Sequence, residues 1–192
     1  DLVVATMSQG QGHETSFVQV VAERLELPFD RVHLRQGDSD TAPLGIATIA
    51  SRSMTMAGAA IALTCDAVVE KGKLAAAHLL EAAVADIEFA DGQFRVIGTD
   101  RQIALLDLAA QTRMMITADA PADMPASLDS EEEFDAADQF FPNGCHVCEL
   151  EIDPDTGVIT LDRYTAIDDC GTVINPPIVH GQVHGGVMQG IG

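Results

Sequence analysis

Three short stretches of this chain combine side chains and backbone suited to holding a polar ligand. The first, Gln9-Gly10-Gln11-Gly12-His13-Glu14-Thr15, follows an apolar run, Leu2 to Ala5, and precedes an apolar-periodic segment. Strand, glycine-spaced loop and helix start together make an arrangement that holds anions. The first N–H groups of a helix lack internal partners, and the helix dipole adds partial positive charge there. Gly10 and Gly12 permit unusual backbone angles and close approach by a ligand. By itself the pattern equally serves as a tight turn before a helix. The second stretch, Thr48-Ile49-Ala50-Ser51-Arg52-Ser53, sets hydroxyls beside a guanidinium, a group suited to pairing with phosphate. The third, residues 181–190, reads Gly-Gln-Val-His-Gly-Gly-Val-Met-Gln-Gly. In a helix, Gly185, Gly186 and Gly190 would each cost roughly 1 kcal/mol relative to Ala, so the backbone there is expected to pass very near something. Small residues beside amides and hydroxyls suit a large, flat, multiply hydrogen-bonding cofactor that carries phosphates.

Other reactive side chains are less organised. Cys145 and Cys148 form a lone Cys-x-x-Cys around His146, with no second pair at similar spacing to complete a zinc site. In a strand the two thiols would face opposite sides. With Cys65 and Cys170 they read as reduced, buried or half-buried thiols of a cytoplasmic protein. His13, His180 and His184 read as local hydrogen-bonding or packing residues. Glu131-Glu132-Glu133 reads as a solvated face, since it lacks the spacing of a catalytic carboxylate pair.

The elements that must position these groups can be read from periodicity. Phe17, Val20, Val21 and Leu25 recur at helical spacing, so residues 15–26 are expected to form a helix, with Pro28 just past its end. Residues 31–36 alternate as a short strand, and 37–43 form a polar loop. A helix rich in Ala and Met is expected up to Gly72, and a second from about Lys73 to Ala85. Asp91-Gly92 between two alternating runs is a strong hairpin signal. Residues 103–112 look like a short helix, and about 118–142 like an exposed acidic excursion. Residues 144–152 and 158–168 read as strands joined by a Pro- and Gly-containing turn at 153–157, and Asn175-Pro176-Pro177 as a further turn. Hairpins at both places point to an α+β fold, with helices packed on twisted, partly antiparallel strands.

Thirty acidic against ten basic residues give a formal charge of −20 over 192 residues. That balance argues against nucleic acid and anionic membranes, which need clustered Lys and Arg. It leaves room for one phosphate held by backbone N–H groups and a single Arg. No apolar run approaches the roughly 20 residues of a membrane helix, so the chain is expected to be soluble. At 47% apolar residues it has material for a real core. It begins in a strand-like run and ends at Gly190-Ile191-Gly192 inside a motif, and is expected to be a fragment.

Taken in order, the three stretches resemble the molybdenum-binding large subunit of the xanthine dehydrogenase, aldehyde oxidase and carbon monoxide dehydrogenase family. The tail from Ala166 to Gly192, with Asp168-Asp-Cys-Gly-Thr-Val-Ile-Asn-Pro-Pro177, is the closest match. The resemblance covers the whole chain but only a late part of the family's subunit, and implies a fragment of its molybdopterin-cofactor-binding domain spanning 1–192. It carries over cofactor contacts to Gln9, Gly10, Gln11 and Gly12. It also carries them to Thr48, Ala50, Ser51, Arg52 and Ser53 beside the pterin and its phosphate, and to Gln189. It implies a molybdenum–molybdopterin cofactor, in bacterial enzymes generally the cytosine dinucleotide form. It implies hydroxylation of an aldehyde or N-heterocycle with water as oxygen source. The cofactor carries the hard chemistry, which the protein orients and polarises.

Iron–sulfur clusters and FAD are implied on other domains or subunits, in a dimer of heteromers, since neither a ferredoxin-like cysteine set nor a flavin-type glycine fingerprint occurs here. The family's catalytic glutamate sits in a Gly-x-Gly-Glu motif downstream of the last glutamine. No catalytic residue is therefore expected within 1–192, and the fragment alone is expected to be inactive. Two other readings stay open. The chain could be a subunit-docking scaffold with vestigial cofactor contacts, or a small redox or zinc module on Cys145, His146 and Cys148.

Overall fold

Leu2–Val3 forms β1 and Leu34–Arg35 forms β2, paired in parallel with Leu2 opposite Leu34. A parallel pair needs a crossover, and α1, His13–Arg24, lies within it. The helix starts at Gly12, which takes the left-handed conformation (φ 76°) and caps through its carbonyl, accepting from the Ser16 hydroxyl at 3.1 Å. Glu14 in the first turn and Arg24 in the last both suit the dipole. The helix closes with Leu27 N–H donating to Ala22 O at 3.0 Å around Glu26 at φ 50°. Phe17, Val18 and Val21 are buried. The structure, a computed structural model, describes residues 1–42, 45, 47–115, 121, 123–136 and 141–192.

The Ala- and Met-rich segment is one helix rather than two. A π-helical turn, Met54–Gly58, leads into α2, Ala59–Leu79, which runs through Gly72 unbroken. Gly72 serves a packing purpose: a Cβ there would stand 2.1 Å from Cζ of Phe94, whose ring is fully buried. The helix ends at Leu79, short of Ala85. Ala82 N–H donates to Ala77 O at 3.0 Å around Glu81 at φ 48°.

The Asp-Gly hairpin forms where expected. β3, Ile87–Ala90, and β4, Gln93–Val96, pair antiparallel with Phe89 opposite Phe94. Asp91 and Gly92 both take positive φ, 54° and 69°, as a two-residue hairpin turn of the I′ kind requires. The turn rests on the C-terminal end of α1, where Gly92 N–H donates to Glu26 Oε2 at 3.0 Å. A third strand, β5, Gln102–Ala104, pairs with β4. The short helix α3 therefore begins at Leu105 and runs to Met114. Ile103 goes to the sheet because Phe94 lies opposite it. Phe17, Val21, Ile61, Phe94 and Leu108 belong to one buried core built from α1, α2, α3 and β4.

Part of the acidic stretch joins this core. Leu128 is buried. Asp129 accepts from Lys71 Nζ through its carbonyl (2.6 Å) and from Arg113 Nη2 through its carboxylate (2.8 Å). Residues 118–120, 122 and 137–140 of the expected excursion lie outside the described residues.

The chain divides into two units, residues 1–136 and 137–192. In the second, β6, Asn143–Ile152, and β7, Ile159–Asp169, form a long antiparallel hairpin with a register shift at Glu149/Leu150. Its turn is built by Asp153, whose Oδ1 accepts from the N–H of Asp155 (2.8 Å) and Thr156 (2.9 Å), with Gly157 at φ 72°. α4, Pro176–Ile191, follows. Asn175-Pro176-Pro177 is thus a helix start rather than a free turn. The Asn175 side chain accepts from Ile178 N–H at 3.1 Å, and Pro176 and Pro177 occupy positions that need no donor. The four cysteines are free thiols. The secondary structure is mixed helix and antiparallel sheet, with β1–β2 as the parallel exception. Among the described residues no helix is long and apolar enough to cross a membrane.

Candidate functional site

Past β1 the chain leaves the sheet at Val4 and loops to Gly12. Gly10 stands at φ 102°, with no atom of the described residues within 4 Å of where a Cβ would be. The loop is braced at both ends: Gln9 N–H donates to Gln11 Oε1 (2.5 Å), and Ser8 Oγ donates to Glu14 Oε2 (3.4 Å). Behind it His13 is 2% exposed and stacks on Phe17, ring centroids 4.3 Å apart. Among the described residues neither ring nitrogen of His13 has a hydrogen-bond partner of good geometry. Burial holds its imidazole below the ordinary value, opposed by the nearby Gln36 amide and Glu14 carboxylate.

The second stretch runs beside the first. Gly45 comes so close to the strand end that a Cβ on it would meet Cβ of Ala5 at 2.2 Å. Three residues on, Thr48 Oγ1 donates to Met7 O at 2.6 Å. That bond uses the one hydroxyl proton of Thr48, so the Thr6 hydroxyl is the donor in the Thr6–Thr48 contact. Ala50 and Ser51 follow at φ 55° and 53°, consecutive left-handed residues without a glycine. Such backbone costs about 1–2 kcal/mol per residue and gathers at functional sites. Arg52 turns one N–H toward Ala47 O at 3.3 Å. Ser53, already in helical conformation, leads into the π-helical turn, itself a feature common at functional sites.

The structure therefore ties the start of the second stretch to the chain just ahead of the first. Thr48 bonds to Thr6 and Met7, two to three residues before Gln9, Gly10, Gln11 and Gly12, while Ala50, Ser51, Arg52 and Ser53 follow Thr48 in the chain. Gln189 stands exposed on α4 of the second unit. A residue that sequence reading missed is Gln36. With its amide oriented to satisfy both neighbours, Nε2 donates to Thr6 O at 3.2 Å and Oε1 accepts from Ser8 N–H at 2.8 Å. No local pattern marks it, because its partners lie across the sheet.

The second unit holds another cluster. His146 Nδ1 lies 3.0 Å from the Tyr164 hydroxyl, and Nε2 lies 3.0 Å from Asp168 Oδ1. Both ring nitrogens are thus engaged within the hairpin. Cys145 and Cys148 sit on opposite faces of β6, since they are an odd number of residues apart in a continuous strand. This geometry disfavours a shared metal on Cys145, His146 and Cys148. Cys65 is buried on α2, where burial and then the Asp66 carboxylate push its thiol up to about 11, so it is an inert core group.

Comparison with known proteins gives the family. The whole chain, residues 1–192, matches the family described as "Molybdopterin cofactor-binding domain". It is 38% identical over 186 residues to the carbon monoxide dehydrogenase large chain of Afipia carboxidovorans, covering 97% of this chain and 23% of that protein. It is 36% identical over 189 residues to the nicotine 6-hydroxylase large subunit of Paenarthrobacter nicotinovorans, covering 96% of this chain and 23% of that protein. Among solved structures it resembles Cu,Mo-CO dehydrogenase in its carbon monoxide reduced state, with a TM-score of 0.83 and 39% identity over 95% of this chain and 22% of the other. The chain thus spans about a quarter of the length of these relatives.

Proposed function

The chain belongs to the molybdopterin cofactor-binding domain family, and from that premise we propose that it forms part of the cofactor cradle of a molybdenum hydroxylase. The observation that carries this reading is the bond from Thr48 Oγ1 to Met7 O. It ties the hydroxyl-rich loop to the chain leading into the glycine-spaced loop, two stretches distant in sequence. The residues fit the group. The open space at Gly10 lets a flat ring system approach the backbone, and Ser51, Ser53 and Arg52 are donors of the kind a phosphate accepts.

In this reading Gln9, Gly10, Gln11 and Gly12 hold the pterin side. Thr48, Ala50, Ser51, Arg52 and Ser53 hold the pterin and its phosphate, and Gln189 adds a contact from α4. The cofactor, when bound, supplies oxidation of a carbon beside nitrogen or oxygen, with water as the oxygen source. The protein's part is to orient that group and to exclude competing reactions. The form of the cofactor is molybdopterin cytosine dinucleotide. The substrate is an aldehyde or N-heterocycle, and electrons leave through iron–sulfur and FAD subunits in a cytoplasmic dimer of heteromers. The catalytic base lies outside residues 1–192, so the chain alone is inactive.

The test is cofactor content of the full-length parent. Ser51→Ala and Gln189→Ala each lower molybdenum and pterin occupancy. Occupancy unchanged in both variants would overturn the assignment.

A further inference from the structure

The β1–β2 pairing stops sooner than the chain that depends on it. Leu2 N–H donates to His33 O at 2.8 Å and Val4 N–H to Arg35 O at 3.2 Å, the last main-chain rungs of the parallel pair. The next rung would need the main chain of β2 to continue past Gln36. Instead Gly37 turns away at φ 75°. The Gln36 side chain takes over the missing rungs, donating to Thr6 O at 3.2 Å and accepting from Ser8 N–H at 2.8 Å. A primary amide can do this because it carries both a donor and an acceptor in one plane, as a peptide group does.

We propose that Gln36 is the positioning residue of the cofactor loop, a side-chain substitute for a strand that fixes the curve from Thr6 to Gly12. The proposal rests on the function given above, because positioning matters only if that loop receives a ligand. Three features of the geometry support it. Gln36 grips the loop from the β2 side while Thr48 grips Thr6 and Met7 from the other. The two residues together engage three successive residues, Thr6, Met7 and Ser8, just ahead of Gln9. The Gln36 amide also lies near the buried His13 ring, in the first turn of α1. Gln36 is only half-buried, so packing of the core does not account for it.

The experiment uses the full-length parent and two variants. Gln36→Met keeps the length and loses both bonds. Gln36→Glu keeps the acceptor for Ser8 N–H and loses the donor to Thr6. Two readouts are taken: amide hydrogen exchange at Ser8, and pterin content by fluorescence after oxidative release. In Gln36→Met, exchange at Ser8 rises about tenfold, the factor carried by one backbone hydrogen bond. Exchange in core strand β4 stays unchanged, and pterin content falls to about half or below. In Gln36→Glu, exchange at Ser8 stays near wild type while pterin content falls between wild type and Gln36→Met, because an acceptor-only carboxylate now faces Thr6 O, a split that a simple loss of folding would not produce. Ser8 exchange or pterin loading unchanged in Gln36→Met, with wild type loaded, overturns the role of Gln36 alone. Wild-type protein devoid of pterin overturns the function on which it rests.

Discussion

Thr48 gives its hydroxyl proton to the main-chain carbonyl of Met7 across 41 residues of sequence, at 2.6 Å. That one bond couples the loop after β1 to the loop before α2. The Thr6 hydroxyl, donating in turn to Thr48, makes the coupling a short chain of bonds rather than a single point. Thr48→Val preserves shape and removes both. The expected cost is about 1–2 kcal/mol of stability, typical of a pair of hydrogen bonds left partly unsatisfied. Cofactor content of the parent is expected to fall more steeply than its melting temperature. Thermal unfolding and metal analysis on the same preparations check this.

His13 gives a pH dependence of definite sign. Burial lowers its folded-state pKa below the unfolded value of about 6.5, so the unfolded chain binds a proton that the folded chain refuses. Stability is therefore full above about pH 6.5 and declines as pH falls below it, by at most about 1.4 kcal/mol per pH unit. His13→Phe keeps a ring against Phe17 and removes this contribution. Denaturant titrations at about pH 7.5 and about pH 5.5 are expected to show the smaller difference in the variant.

Gly72 and Phe94 make a coupled pair. Gly72→Ala adds a Cβ that must displace the fully buried Phe94 ring. Overpacking of this kind costs about 1–3 kcal/mol, against a helix-propensity gain of about 1 kcal/mol. The net effect is a loss of stability. Phe94→Leu placed on top of Gly72→Ala is expected to cost less than the sum of the two single changes. A double-mutant cycle by chemical denaturation reads that coupling directly.

Ala50 stores strain that a glycine would release. At φ 55° an Ala→Gly change removes the Cβ penalty, and the expected gain is about 1 kcal/mol in the cofactor-free protein. Ala50→Val is expected to lose at least as much, since β-branched residues tolerate this region worst. Melting temperatures of the three forms, ranked Gly above Ala above Val, are the measurement.

The parts legible in the sequence are those whose cause is local. Asp91-Gly92 fixes its hairpin through the backbone freedom of two residues, and the Asp153–Gly157 turn through a carboxylate bonding to N–H groups two and three residues on. The apolar spacing of Phe17 and Val21 marks α1, although Gly12 lets it begin at His13, ahead of the first periodic residue. Gly72 misled because a glycine in a helix reads as a break, whereas its reason is Phe94 arriving from β4. Ile103 misled likewise, since its strand character comes from Phe94 opposite it. Two of the site's stretches could be recognised from residue type and order. The brace could not, because the partners of Gln36 and Thr48 are main-chain atoms brought near only by the fold.

The most direct test is metal and nucleotide analysis of the full-length parent, purified without oxygen. The account predicts molybdenum and pterin in equal amounts, with a cytidine nucleotide released on hydrolysis. Protein that is folded and assembled yet contains neither molybdenum nor pterin would contradict it.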